Sequence, residues 1–212
     1  MKETIAGIIF DLGGVVLESF EFGFYKDIKK RFGVPIEKLE KVCAAHWSRL
    51  EMGKETNLAY WQTVAEELSL QDSSGAVMAD LWLKHFQHGA KIKKGTLVLA
   101  KKLAENFKLG VISNTQKEHS IFNRKRGLFD NFDAVILSNE VGLRKPQKAI
   151  FSLAAKKMQL PFKSLLFIDN DIRWVKVARK YGLHAILFTT VVQLKNDLKN
   201  IIATSRLIHR IK

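Results

Sequence analysis

Five short, unbroken apolar runs are spaced along the chain: Gly7-Ile8-Ile9-Phe10, Leu109-Gly110-Val111-Ile112, Ala134-Val135-Ile136-Leu137, Leu165-Leu166-Phe167-Ile168 and Ala185-Ile186-Leu187-Phe188. Runs this short, without polar alternation, predict strands buried on both faces, as in a parallel sheet covered by helices. Between them, residues 94–107 and 147–158 carry apolar side chains at helical spacing, and 174–181 does so over a shorter stretch. The βαβ rhythm predicts an α/β fold with a doubly wound, Rossmann-like parallel sheet. In such sheets ligands bind beyond the carboxyl ends of the strands, where the strand order reverses. Four of the five runs lead into a residue able to do chemistry there: Asp11, Ser113, Ser138 and Asp169.

The segment between the first two runs is too long for a simple crossover and holds no strand-like run. Its pattern predicts helices over 22–32, 35–49, 57–68 and 74–87, with breaks at Gly33-Val34-Pro35, Gly53 and Asp72-Ser73-Ser74. The expected organisation is an α/β core made of residues 1–16 and 90–212, with an all-helical insertion, 17–89, placed over the active edge of the sheet as a cap. Trp47, Trp61 and Trp82 fall in this insertion. Aromatic residues on amphipathic helices are usually core, so these three are expected to pack rather than to line a site. The basic stretch 204–212 is expected to be the frayed end of a last helix.

With 212 residues and 47% hydrophobic content the chain can bury a substantial core. No apolar run approaches the roughly 20 residues that cross a bilayer as a helix. Met1-Lys2-Glu3-Thr4 leads almost directly into the first strand rather than into a signal peptide, so a cytoplasmic location is expected. The single cysteine, Cys43, excludes an internal disulfide and a multi-cysteine metal site, and its expected role is that of a small buried hydrophobe. A surplus of 35 Lys+Arg over 21 Asp+Glu, formally +14, attracts anionic partners. The basic residues are scattered over 26–31, 91–94, 124–126, 176–180 and 206–212 without a nucleic-acid motif. Phosphate esters and nucleic acid both qualify as anionic partners, but so scattered a pattern reads first as a solvated basic surface, and nucleic acid is not expected.

Asp11 follows Ile8-Ile9-Phe10 and precedes Leu12-Gly13-Gly14, which sets a carboxylate where a buried strand meets a tight glycine turn. An aspartate so placed can attack phosphorus and divide one hard substitution into two easier ones. Backbone N–H groups of the turn can hold phosphate oxygens, because glycine permits close approach. A turn-capping role is the bland alternative for Asp11 taken alone.

Three further segments join it. Phe10-Asp11-Leu12-Gly13-Gly14-Val15, Val111-Ile112-Ser113-Asn114-Thr115, Gly142-Leu143-Arg144-Lys145-Pro146 and Leu166-Phe167-Ile168-Asp169-Asn170-Asp171 resemble, in order, the four motifs of the haloacid-dehalogenase-like superfamily. The resemblance spans most of the predicted core. It implies a phosphatase-type hydrolase with Asp11 as nucleophile, Ser113 binding the transferring phosphoryl group, and Lys145 neutralising both. It also implies Mg2+ held by Asp11, the Gly13 carbonyl and the Asp169/Asn170 pair, while Asn114 and Thr115 shape the phosphate pocket. In the insertion, Leu50-Glu51-Met52-Gly53-Lys54-Glu55-Thr56, with Trp61 beyond, is similar to a cap segment of the glucose-1-phosphatase-like and epoxide-hydrolase N-terminal-like branch.

The chain departs from the pattern of the superfamily at four places. The second aspartate that many of its phosphatases carry two residues after the nucleophile is Gly13 here, which removes a proton shuttle worth roughly two to four orders of magnitude in rate. The common Asp-Asp pair is Asp169-Asn170; an amide oxygen still ligates magnesium but brings no charge, and Asp171 is a further acidic group nearby. Trp174 stands where an asparagine is often found, and Gln147 replaces an acidic residue after Lys145-Pro146. A slow phosphatase, a phosphotransferase and a catalytically weak protein that binds phosphate compounds or an anionic partner all agree with these departures. Carbon–halogen hydrolysis fits less well, because the glycines after Leu12 differ from the dehalogenase form of the first motif.

Overall fold

The computed structural model describes residues 4–207. Strands β1 (Gly7–Phe10), β2 (Lys108–Ser113), β3 (Ala134–Leu137), β4 (Leu165–Asp169) and β5 (His184–Leu187) form one sheet in the order β3-β2-β1-β4-β5. Every pairing is parallel, with Ile8 opposite Leu109 on one side and Leu166 on the other. All of β1 and β4 is buried, which is why both read as continuous apolar runs. The order reverses at β1, so the carboxyl ends of β1 and β4 flank the crevice in which such sheets bind ligands.

Helices cover both faces. On one, α8 (Lys148–Met158) and α9 (Ile172–Lys180) bury Ile150, Phe151, Ala154, Val175 and Ala178 against Ile9, Ile112 and Phe167. On the other, Ala100 of α5 (Lys94–Leu103) and Leu194 and Leu198 of α10 (Val191–Leu207) join Ile8, Phe10, Val111 and Ile168. The expected tail 204–212 is helical through Leu207, and its remainder, 208–212, lies outside the described residues. The helix expected over 94–107 stops at Leu103, and the one expected over 174–181 begins two residues earlier, where the Asp171 side chain accepts a hydrogen bond from the Arg173 N–H. Helices α6 (Lys117–Lys125) and α7 (Ser138–Val141) have no counterpart in the hydrophobic pattern.

Between β1 and β2 lie α1 (Glu21–Phe32), α2 (Ile36–Glu51), α3 (Asn57–Glu67) and α4 (Ser74–Gly89). The breaks read from the sequence end them. Gly33 closes α1 in the left-handed conformation at φ 70°, where its N–H donates to Lys29, and Thr56 caps α3 through a hydrogen bond from the Ala59 N–H. These four helices enclose a hydrophobic cluster of their own, built on Phe24, Tyr60, Trp61, Met78 and Trp82. Cys43 is part of it, and burial pushes its thiol up to about 12, as expected of a packing residue. No helix among the described residues is long and apolar enough to cross a membrane.

Trp61 is fully buried, packs against Phe24, Tyr60 and Trp82, and donates its indole N–H to Asn57 Oδ1 at 3.1 Å. Trp61→Ala is expected to cost about 3–5 kcal/mol through the cavity it leaves, read as a lower denaturant midpoint in urea unfolding.

Candidate active site

Asp11 emerges from β1 and Asp169 closes β4, so two neighbouring strands deliver two carboxylates to the same end of the sheet. Between them stands the ammonium of Lys145. Its Nζ donates to Asp11 Oδ1 at 2.7 Å and to Asp169 Oδ2 at 2.6 Å, and all three residues are buried. The Lys145 backbone is fixed as well: its N–H donates to Asn114 Oδ1 at 2.8 Å, and Asn114 Nδ2 donates back to its carbonyl at 3.1 Å. The Asn114 side chain thus holds the lysine loop rather than lying free in the pocket. Thr115 is tied through its backbone to the Ser138 hydroxyl, at 2.8 and 3.1 Å, which docks the end of β2 on α7.

Two carboxylates share one ammonium in a buried cluster, so the group is one positive charge short. Burial pushes the Asp11 carboxyl up to about 7; Lys145 pulls it down, and the charge of Asp169 adds to the rise. Burial works against the Lys145 charge too, yet attraction by Asp11 and Asp169 leaves its pKa above the ordinary lysine value.

Asp11, Gly13, Asn114, Lys145, Asp169 and Asn170 line one cavity of about 310 Å³. Gly14 sits at φ 76°, a left-handed turn suited to glycine, and a Cβ there would lie 2.4 Å from Asn170 Nδ2. The Asn170 side chain is therefore folded over the turn that follows Asp11. Asp171 differs from expectation: its carboxylate is engaged by Arg173, with Nη2 at 2.6 Å and Nε at 3.0 Å, and this pairing holds its pKa low. Among the described residues no three His, Cys, Asp or Glu side chains gather as a metal cluster. Two carboxylates, one amide and a backbone carbonyl are nevertheless hard oxygen donors of the kind magnesium takes, and a cation would supply the missing charge.

Ser113 is buried and lines a second, inner chamber that shares Gly13, Asn114, Trp47 and Glu51 with the cavity around Asp11. Trp47 and Trp82, expected in the core, both line this chamber, whereas Trp61 does not. Glu51 of α2 binds Arg144 beside Lys145, with its Oε2 2.7 Å from Nη2 and 2.8 Å from Nε, and its Oε1 accepts the Trp47 indole N–H at 2.7 Å. Burial raises the Glu51 pKa against the opposing pull of Arg144. Neither partner received a role from the sequence, although each stood inside a string that drew attention. Gln116 and His119, which line the chamber just beyond Thr115, were not signalled at all.

A family model described as haloacid dehalogenase-like hydrolase matches residues 5–182. The chain belongs to the haloacid dehalogenase-like hydrolase family. Phosphatase MT3486 of Mycobacterium tuberculosis is 26% identical over 196 residues, 87% of this chain and 87% of that protein. An (S)-2-haloacid dehalogenase of Pseudomonas putida is 24% identical over 85% of this chain and 82% of its own. The chain spans only 30% of the length of drimenol cyclase drtB of Aspergillus calidoustus, at 24% identity over 156 residues. Among solved structures, the family enzyme bt-2542 of Bacteroides thetaiotaomicron, crystallised with magnesium and inorganic phosphate, superposes with a TM-score of 0.67 at 22% identity over 87% of this chain and 94% of that one. This haloacid dehalogenase-like chain thus shares its fold with a protein that holds both ions.

The His119 ring stacks on Phe86 at 3.5 Å between centroids, and burial holds its pKa well below the ordinary value, so it is neutral in the folded chain. Unfolding releases it to take a proton below about pH 6.5. The unfolded state then binds more protons, and stability falls with pH below that point, by up to about 1.4 kcal/mol per pH unit from this residue. His119→Phe keeps the stacking and is expected to flatten the acid limb of the stability profile between pH 6.5 and 5, measured by urea unfolding across that range.

Proposed function

We propose that the chain is a magnesium-dependent phosphomonoester hydrolase that works through an aspartyl-phosphate on Asp11. The observation that carries this reading is the buried Asp11–Lys145–Asp169 cluster at the strand-order reversal of the sheet. Asp11 attacks phosphorus, and the ester P–O bond breaks with its electron pair leaving on the alcohol oxygen. Water then attacks the acyl phosphate, releasing inorganic phosphate and restoring the carboxylate. Lys145 holds Asp11 in place and neutralises charge as phosphoryl oxygens approach, a task suited to a preorganised, desolvated ammonium. Ser113 donates its hydroxyl to a phosphoryl oxygen, and Asn114 keeps Lys145 in position. Thr115 shapes the phosphate pocket from the far end of β2. Asp11, the Gly13 carbonyl, Asp169 and Asn170 would hold magnesium, which supplies charge neutralisation for the phosphate when bound. The inserted helices act as a cap over this end of the sheet, and the substrate is a small phosphorylated metabolite.

With p-nitrophenyl phosphate, magnesium-dependent release of p-nitrophenol is expected, and it should stop on addition of EDTA. Asp11→Asn should lower it by roughly three orders of magnitude or more, as removal of a nucleophile does elsewhere. The Pseudomonas putida relative makes halide release the competing outcome; chloride freed from a 2-haloacid, with no phosphate freed from any ester, would replace this reading.

Gly13 gives the leaving alkoxide no proton donor. A Cβ built on Gly13 meets nothing within 4 Å, and its backbone lies outside the left-handed region, so an aspartate fits there. Gly13→Asp is expected to raise kcat on an alkyl phosphate such as glycerol 3-phosphate by about a hundredfold, the low end of general acid–base catalysis. It should leave kcat on p-nitrophenyl phosphate nearly unchanged, because p-nitrophenolate departs without protonation. Phosphate release from the two esters, compared between variant and wild type, checks both statements.

A further inference from the structure

The loop that carries Lys145 is tied from several directions. Within the α/β layer, Asn114 holds the Lys145 N–H and carbonyl, Gln147 Oε1 accepts the Arg144 N–H at 2.8 Å, and the Tyr181 hydroxyl donates to the Pro146 carbonyl at 2.9 Å. Among the described residues the inserted helices add one ion pair to these ties. Glu51, the last residue of α2, accepts from Arg144 Nε at 2.8 Å and Nη2 at 2.7 Å on a single oxygen, Oε2. Glu51 is 7% exposed. A buried ion pair adds little net stability, because both groups lose their water. Two N–H bonds converging on one carboxylate do fix where the guanidinium lies.

Glu51 also lines the cavity around Asp11, where Gly13 supplies no proton donor, so a direct part in proton transfer is the alternative for it. Its hydrogen bonds argue against that part. Oε1 accepts the Trp47 indole N–H at 2.7 Å while Oε2 accepts the guanidinium, and bonds accepted on both oxygens favour the carboxylate without its proton. What the carboxylate does hold is the residue next to Lys145.

We infer that Glu51 is a positioning residue for the reaction at Asp11: by fixing Arg144 it keeps the Lys145 ammonium between Asp11 and Asp169, rather than acting through contact with the substrate. The inference rests on the hydrolase reading of that site. Two consequences separate it from proton transfer by Glu51. A displaced ammonium weakens attack by Asp11 on every ester alike, so kcat falls by one factor whatever the alcohol. Loss of a proton donor instead slows an alkyl phosphate far more than p-nitrophenyl phosphate, whose leaving group needs no proton.

The test compares full-length wild-type protein with Glu51→Gln, Arg144→Gln and the double variant, all with magnesium. On both p-nitrophenyl phosphate and glycerol 3-phosphate, each single variant is expected to lose about ten- to a hundredfold in kcat, by the same factor on the two esters, with KM within about twofold of wild type. The double variant should be no slower than the slower single one, since the two residues act as one pair. Hydrogen exchange followed by mass spectrometry should be faster over residues 142–147 in both single variants, while β1 and β4 exchange as in wild type and so report an intact sheet. A kcat loss confined to glycerol 3-phosphate makes Glu51 a proton-transfer residue and overturns the inference. So does a change in KM alone, wild-type exchange over 142–147 in Glu51→Gln, or exchange that rises throughout the chain, which marks a folding role. Wild-type protein that releases phosphate from neither ester overturns the hydrolase reading, and exchange over 142–147 then decides by itself whether Glu51 holds the lysine loop.

Discussion

A single ammonium group, Lys145 Nζ, lies within 2.7 Å of carboxylates from two adjacent strands, and the arrangement of the α/β layer serves that contact. An unpaired charge in so dry a place costs several kcal/mol, and the ammonium offsets that cost for the carboxylates it meets. The parallel pairing of β1 with β4 sets their ends side by side, and the loop after α7 brings the lysine across. Asn114, from the end of β2, grips that loop at both the N–H and the carbonyl. Three strands and one loop therefore converge on a charge balance that is still short by one. With both carboxylates ionised that shortfall is a surplus negative charge, which a cation would offset.

The parts of the fold visible in the sequence are those in which burial leaves a local trace. Strands covered on both faces must be apolar throughout, so all five stood out; the breaks at Gly33 and Gly53 were equally plain because the left-handed backbone there favours glycine. Helix α6 was missed because Lys117-Glu118-His119-Ser120 begins it and few of its residues are apolar, and α7 because four residues make no period. Asp11, Ser113, Lys145 and Asp169 were recognisable since each stands inside one of the four motif strings. Contacts across the chain left no such trace. Glu51 and Arg144 are 93 positions apart, and nothing in either neighbourhood tells that α2 will be laid against the loop of Lys145. Gln116 and His119 fall in a polar stretch without a hydrophobic period, and only the folded chain shows them buried beside the inserted helices. Asp171 looked like a spare acidic group, and only its short local geometry with Arg173 shows that it is engaged.

The inserted helices have an aromatic interior that passes without interruption into the site. Trp61 packs on Trp82, Trp82 and Phe86 stack with His119, and His119 sits on the helix that follows β2. Trp61 and Trp82 are both buried in that interior, as expected, and Trp82, with the partly buried Trp47, also lines the chamber. The wide basic surplus of the chain has no counterpart in this chamber, whose lining holds Glu18, Glu21 and Glu51 and no lysine or arginine.

Glu51 also has a mechanical meaning. It grips Arg144, and Arg144 is covalently joined to Lys145, so α2 and the ammonium beside Asp11 are geared together through two short bonds. Any displacement of α2 must either break the Glu51–Arg144 pair or tug on the backbone that aims the lysine. The seating of α2 and the placement of the ammonium between Asp11 and Asp169 are in this way parts of one linkage.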